Sequence, residues 1–123
     1  MGTYDDQNIF AKILRGEIPS QTVYEDEYVI AIHDAYPKAP VHVLILPKGP
    51  YISMTDFSSK ATELEQAAMV KAVAHVVRDM GLDENGYRLI ANNGGHGGQE
   101  IAHLHWHIVG GAPVGPMLVE QED

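Results

Sequence analysis

The sequence predicts an α+β fold: a five-stranded antiparallel sheet with one short and one long helix packed on one face. Three features carry this expectation. Apolar runs of strand length follow one another across short polar turns. One Ala-rich stretch without Gly or Pro has the period of a helix. The resulting order is helix, three strands, long helix, two strands, and a doubly wound parallel sheet would alternate more strictly.

Ile9, Phe10, Ile13 and Leu14 recur at helical spacing, with Asp6 or Asn8 available as a cap and Gly16 as a stop, so a short helix opens the chain. Thr22-Val23-Tyr24 and Tyr28 to Ile32 read as two strands, joined into a hairpin by the polar Glu25-Asp26-Glu27. Pro37 and Pro40 bracket a loop, and His42 to Leu46 is a third strand stopped by Pro47. Ser59 to Met80 is the long helix. Met69, Val73, Val76, Val77 and Met80 form its buried stripe, and Gly81 ends it. Tyr87 to Ala91 is the fourth strand. A Gly-rich loop from Asn92 to Gln99 follows, and Ala102 to Val109 is the fifth strand.

The balance of 45% hydrophobic and 20% charged residues suits one domain with its own core, spanning 1–123, with 1–6 and 119–123 as loose ends. There is no cysteine, which excludes disulfides and thiolate zinc sites. Eight basic against 17 acidic residues leave a net charge of −9. That field repels phosphate backbones, so nucleic acid is not an expected partner. The N-terminus lacks the basic and apolar regions of a secretory signal. No apolar run approaches the roughly 20 residues of a membrane helix, so no membrane partner and a cytoplasmic location are expected.

The chemistry concentrates in His103-Leu104-His105-Trp106-His107. Alternation along a strand puts the three histidines on one face and the apolar residues on the other. Two readings of this imidazole row stand open. One is a metal site: neighbours at i and i+2 are about 7 Å apart and the outer pair about 13 Å, so a third ligand would come from His42 or a carboxylate. The other is nucleophilic attack on phosphorus by His105, kept neutral by its crowded neighbours and fixed in one tautomer by an acceptor. The glycines at 94, 95, 97 and 98 are either an anion-binding turn or a flexible connection. No Cys, nucleophile elbow or P-loop motif competes.

The pattern His-x-His-x-His followed by two apolar residues resembles the signature of the histidine triad (HIT) family of nucleotide hydrolases and transferases. Ile9 to Pro19, Ala39 to Lys48, Gly97-Gly98-Gln99-Glu100 and Gly110-Gly111 extend the likeness to the bacterial HINT-like branch, over roughly Gln7 to Leu118. The resemblance implies a HIT-like fold whose sheets join across a two-fold homodimer. It also implies hydrolysis of the P–N bond of purine nucleoside phosphoramidates, without cofactor or metal. By position, His105 would be the nucleophile, His107 would contact the scissile bond as the proton source, His103 would support His105, and His42 would complete the polar cluster. Asp34 would grip the ribose; His33, Ala35, Asn92, Gly98, Gln99 and Glu100 would line the nucleotide site, with Ile32 walling the base. A dinucleoside polyphosphate hydrolase and a nucleotide-binding regulatory module are the alternatives. Ala102 and Trp106 read as a paired volume swap on the core face. His33 and His75 read as packing or surface residues, His96 as exposed, and Lys38 and Lys48 as softening the acidic field.

Overall fold

The computed structural model describes residues 2–119. Five strands form one sheet: β1 (Thr22–Glu25), β2 (Val29–His33), β3 (Val41–Pro47), β4 (Tyr87–Ala91) and β5 (Trp106–Gly110). Their order is β1-β2-β3-β5-β4, and every neighbouring pair is antiparallel. The α+β antiparallel expectation holds, and β1 to β4 lie where the alternation places them.

The helices differ from expectation in two ways. There are three: α1 (Ile9–Leu14), α2 (Met54–Lys60) and α3 (Glu63–Asp79). The stretch read as one helix from Ser59 is broken at Ala61, whose ψ of 152° is extended. Thr62 then starts α3 with a capping box, its side chain accepting from Glu65 N while Glu65 reaches back to the Thr62 N–H. Ser53 and Asp56 form the same device at α2. Nor do all helices share a face. α3 packs across β1, β2 and β3, whereas α1 places Phe10 against Ile30, Ile32, Leu44 and Leu46 on the opposite side.

Strand parity sorts the side chains. Val43, Ile45, Leu104, Trp106 and Ile108 enter the core beneath α2 and α3, with Met69, Ala72 and Val76 above them. Each fully buried large aliphatic side chain there contributes about 1.5–3 kcal/mol. The other parity carries His42, Leu44 and His107; Leu44 pairs with His107 and His42 with Val109 across β3 and β5.

The fifth strand is shorter than expected. It begins at Trp106, so His103, Leu104 and His105 lie in an irregular, buried segment in which Leu104 joins the core cluster while His103 meets Phe10 and His105 lines the open face. Ala102 is exposed, so it is not the partner of Trp106 in a core volume swap. Trp106 instead donates its indole N–H to Met54 Sδ at 3.0 Å. The end read as loose from 119 falls, beyond Val119, outside the described residues. Among the described residues no helix is long and apolar enough to cross a membrane.

Candidate active site

The face that α3 leaves uncovered holds a cavity of about 840 Å³, a volume suited to a small ligand. Its lining includes Ile32, His33, Asp34, Ala35, His42, Asn92, Gly98, Glu100, His105 and His107, so most of the sequence-predicted residues converge. Ile18, Phe10, Ile13 and Leu44 add an apolar wall.

Hydrogen-bond partners assign the ring protons, because a carbonyl only accepts and a backbone N–H only donates. His105 Nδ1 is 2.8 Å from the His103 carbonyl and therefore carries a proton. Its Nε2 makes no hydrogen bond with the described residues and keeps a lone pair. His103 Nε2 donates to Pro47 O at 2.8 Å, which leaves Nδ1 to accept from the Tyr4 hydroxyl at 2.7 Å. His42 Nδ1 accepts from Lys38 N at 3.0 Å, so His42 Nε2 is protonated and donates to His107 Nδ1 at 2.9 Å. The remaining proton of His107 sits on Nε2. Among the described residues this is the one buried side-chain polar atom without a partner. A stranded buried donor is costly unless a ligand satisfies it.

Burial keeps the cluster neutral. It holds His103 and His107 down at about 4, the latter helped by His105 and His42. His105 is also lowered by burial, against the bond to the His103 carbonyl and the nearby Asp34 and Glu100 carboxylates. His42 is lowered because burial outweighs the attraction of Asp34, whose Oδ2 lies 3.4 Å from Nε2. The rings pack closely: His105 and His107 centroids are 5.0 Å apart, and Phe10 meets His105 in a T-shaped contact with centroids 4.8 Å apart.

Asp34, His42 and His107 can bring one ligand atom each within 4.8 Å of one another, a metal-like grouping. The donor set does not suit a cation. His42 Nδ1 is taken by the Lys38 N–H, and its Nε2 carries a proton where a metal needs a lone pair.

Several expected residues play other parts. Gln99 does not line the cavity; its amide donates to Ile52 O and Ile101 O and accepts from Gly94 N, clamping the glycine loop to the segment before α2. The loop also carries bonds of its own. A Cβ at Gly97 would come within 2.3 Å of Asn93 O, and the Gly94 and Gly98 N–H groups bond within the loop, so those two do not form an anion nest. Asp34 divides its carboxylate: Oδ1 accepts from Tyr36 N, as a turn cap does, and Oδ2 faces His42. His33 is exposed at the cavity mouth rather than packed. His96 is exposed and outside the cavity lining, and His75 stacks on Tyr24 at 4.4 Å. Lys48 is paired with Glu25 at 2.8 Å, leaving Lys38 as the lysine at the site. Sequence reasoning missed Tyr4 and Phe10. Neither carries a signal of its own; each acts through a contact between residues far apart in the chain.

An antiparallel sheet carrying a row of neutral imidazoles against an apolar cavity defines a histidine-based site for a small ligand. Residues 15–114 match the HIT domain, and the chain belongs to that family. A HIT-like protein of Azospirillum brasilense is 49% identical over 96% of this chain and 97% of its own. A purine nucleoside phosphoramidase of Escherichia coli is 45% identical over 94% of this chain and 97% of its own. Among solved structures, a HIT family hydrolase from Clostridium thermocellum is similar at a TM-score of 0.83, with 43% identity over 94% of this chain and 99% of that one. These relatives place the chain among HIT family hydrolases.

Proposed function

We propose that the protein hydrolyses the P–N bond of purine nucleoside 5′-phosphoramidates through a nucleotidyl intermediate on His105. The carrying observation is the tautomer of His105: its Nδ1 proton is held by the His103 carbonyl, which leaves the Nε2 lone pair free beside the cavity. The 45% identical phosphoramidase supports the choice of bond.

Nε2 attacks phosphorus and the P–N pair departs with the amine nitrogen, which takes one proton. Water then attacks phosphorus, the new P–N pair returns to Nε2, and water releases one proton. His107 Nε2–H is the hydrogen-bond donor to the phosphoryl group. The proton chain from Lys38 through His42 makes it a poor net proton source, because charging His107 would set two N–H groups against each other across 2.9 Å. The amine's proton therefore comes from solvent. Asp34 receives the ribose hydroxyls, and Ile32, Ile18 and Phe10 wall the base.

The test is hydrolysis of an adenosine phosphoramidate in EDTA by wild type and His105→Ala. Turnover that survives the chelator and falls by about three orders of magnitude or more in the variant supports the reading. An equally active variant, or wild type that binds AMP but leaves the P–N bond intact, overturns it; the second result points to polyphosphate hydrolysis or simple binding.

The homodimer expected from the family is also proposed. β4 is an edge strand, and Tyr87, Leu89 and Val70 beside it are 41%, 46% and 64% exposed. An exposed apolar edge of this kind seeks a partner strand. Sedimentation equilibrium should give twice the chain mass, and a monomer at micromolar concentration would end the idea.

A further inference from the structure

Tyr4 is 99 residues from His103 in sequence and outside the 15–114 span of the family match, yet its hydroxyl lies 2.7 Å from His103 Nδ1. The ring of His103 is fully buried and bonded at both nitrogens. A tyrosine hydroxyl can donate or accept, so it fixes no tautomer alone. The Pro47 carbonyl on the other nitrogen settles the direction: Nε2 donates to it, and Tyr4 must donate to Nδ1. His103 thereby becomes a rigid strut between the N-terminal arm and β3. Its own carbonyl is what holds the Nδ1 proton of His105.

We propose that Tyr4 is a positioning residue, one that locks the His103 imidazole and, through the His103 carbonyl, orients the nucleophilic lone pair of His105. Losing the hydroxyl would leave Nδ1 a buried acceptor without a partner, which favours rotation of the ring, while the Pro47 carbonyl still keeps the proton on Nε2. Rotation strains the Pro47 bond and displaces the carbonyl under His105. The rest of the arm is consistent with this function. Phe10 makes T-shaped contacts with both rings, its centroid 6.2 Å from that of His103 and 4.8 Å from that of His105, so the N-terminal segment forms the wall on which the pair rests. The simpler possibility is a staple that only ties the arm to the sheet.

The proposal rests on His105 as nucleophile, and the test separates the two. Tyr4→Phe keeps the ring and its edge contact with His103 at 5.6 Å while removing only the hydroxyl. Steady-state kinetics on adenosine phosphoramidate should show kcat lowered about tenfold with KM within a factor of two. Nitrogen-resolved NMR of the histidine rings should show His103 still protonated at Nε2 but the His105 Nδ1 signal shifted as its bond to the His103 carbonyl loosens. Tyr4→Ala should add a lower Tm to the same changes. An unaltered His105 ring signal, or an unaltered kcat, in Tyr4→Phe would overturn the proposal whatever happens to Tm. Should the wild type fail to turn the substrate over, the function reading fails, and the His105 ring spectrum still decides whether Tyr4 holds the His103 ring and, through it, His105.

Discussion

The two faces of the sheet are built from the same strands and obey different rules. On the helix-covered face, Val43, Ile45, Leu104 and Ile108 are wholly buried among other apolar groups, and shape is the main requirement. On the open face, His42, His105 and His107 are also largely removed from water, but each ring proton has an assigned place. An apolar core tolerates volume-conserving exchange. A hydrogen-bonded ring chain does not, because each tautomer is set by the next partner. The larger apolar core thus lies on one side of the sheet, and the imidazole chain, beside a smaller apolar cluster, on the other, one residue apart along β5.

The largest effects should divide along that line. His105→Ala should lower turnover by about three orders of magnitude or more while costing less stability than the loss of a core side chain, since the ring borders a cavity. Ile108→Ala, three residues away and wholly buried, should cost about 2–5 kcal/mol of stability by chemical denaturation. Its folded fraction should keep a near-normal kcat. Finding the reverse pattern in either variant would break the separation of the faces.

An intermediate effect is expected from acid. His103 is held down to about 4, whereas an unfolded histidine titrates near 6.5. Between those values the unfolded chain binds a proton that the native one does not, so stability rises with pH there. The folded state should therefore lose up to about 3 kcal/mol as pH falls from 6.5 to 4, from this group alone. Denaturant melts across that window check it. A flat profile would mean that His103 takes up its proton without leaving its bonds to Tyr4 and Pro47.

The same contrast explains what the sequence disclosed. Period-two and period-3.6 patterns report which side chains meet an apolar layer, so β1 to β4 and the stripe on α3 were legible. The break before α3 was legible too, in Thr62-x-x-Glu65, but the Ala-rich composition around it spoke for an unbroken helix. His-x-His-x-His revealed the site because three imidazoles on one face have no use in a core. Tyr4, Phe10, Pro47 and Lys38 left no such trace. They act through a hydroxyl, a ring edge, a carbonyl and an amide whose partners are set by tertiary packing. Gln99 illustrates the converse: a position matched by resemblance to the ligand site has its amide fully occupied by backbone.

The smallest predicted effect lies at the rim of the open face. Glu100 is exposed, lines the cavity, and raises the His105 pKa against the dominant effect of burial. Glu100→Gln removes an anion that favours the imidazolium, so His105 should stay neutral to lower pH. The acid limb of kcat/KM should move downward accordingly, with the plateau unchanged. The carboxylate acts through solvent, and its influence should fade as salt shortens the Debye length to about 3 Å at 1 M. Wild type and variant should then share one profile, because burial and the His103 carbonyl are not screened. A limb that moves upward, or a difference that persists at high salt, would show that Glu100 works through a direct contact with the reacting groups instead of through its charge.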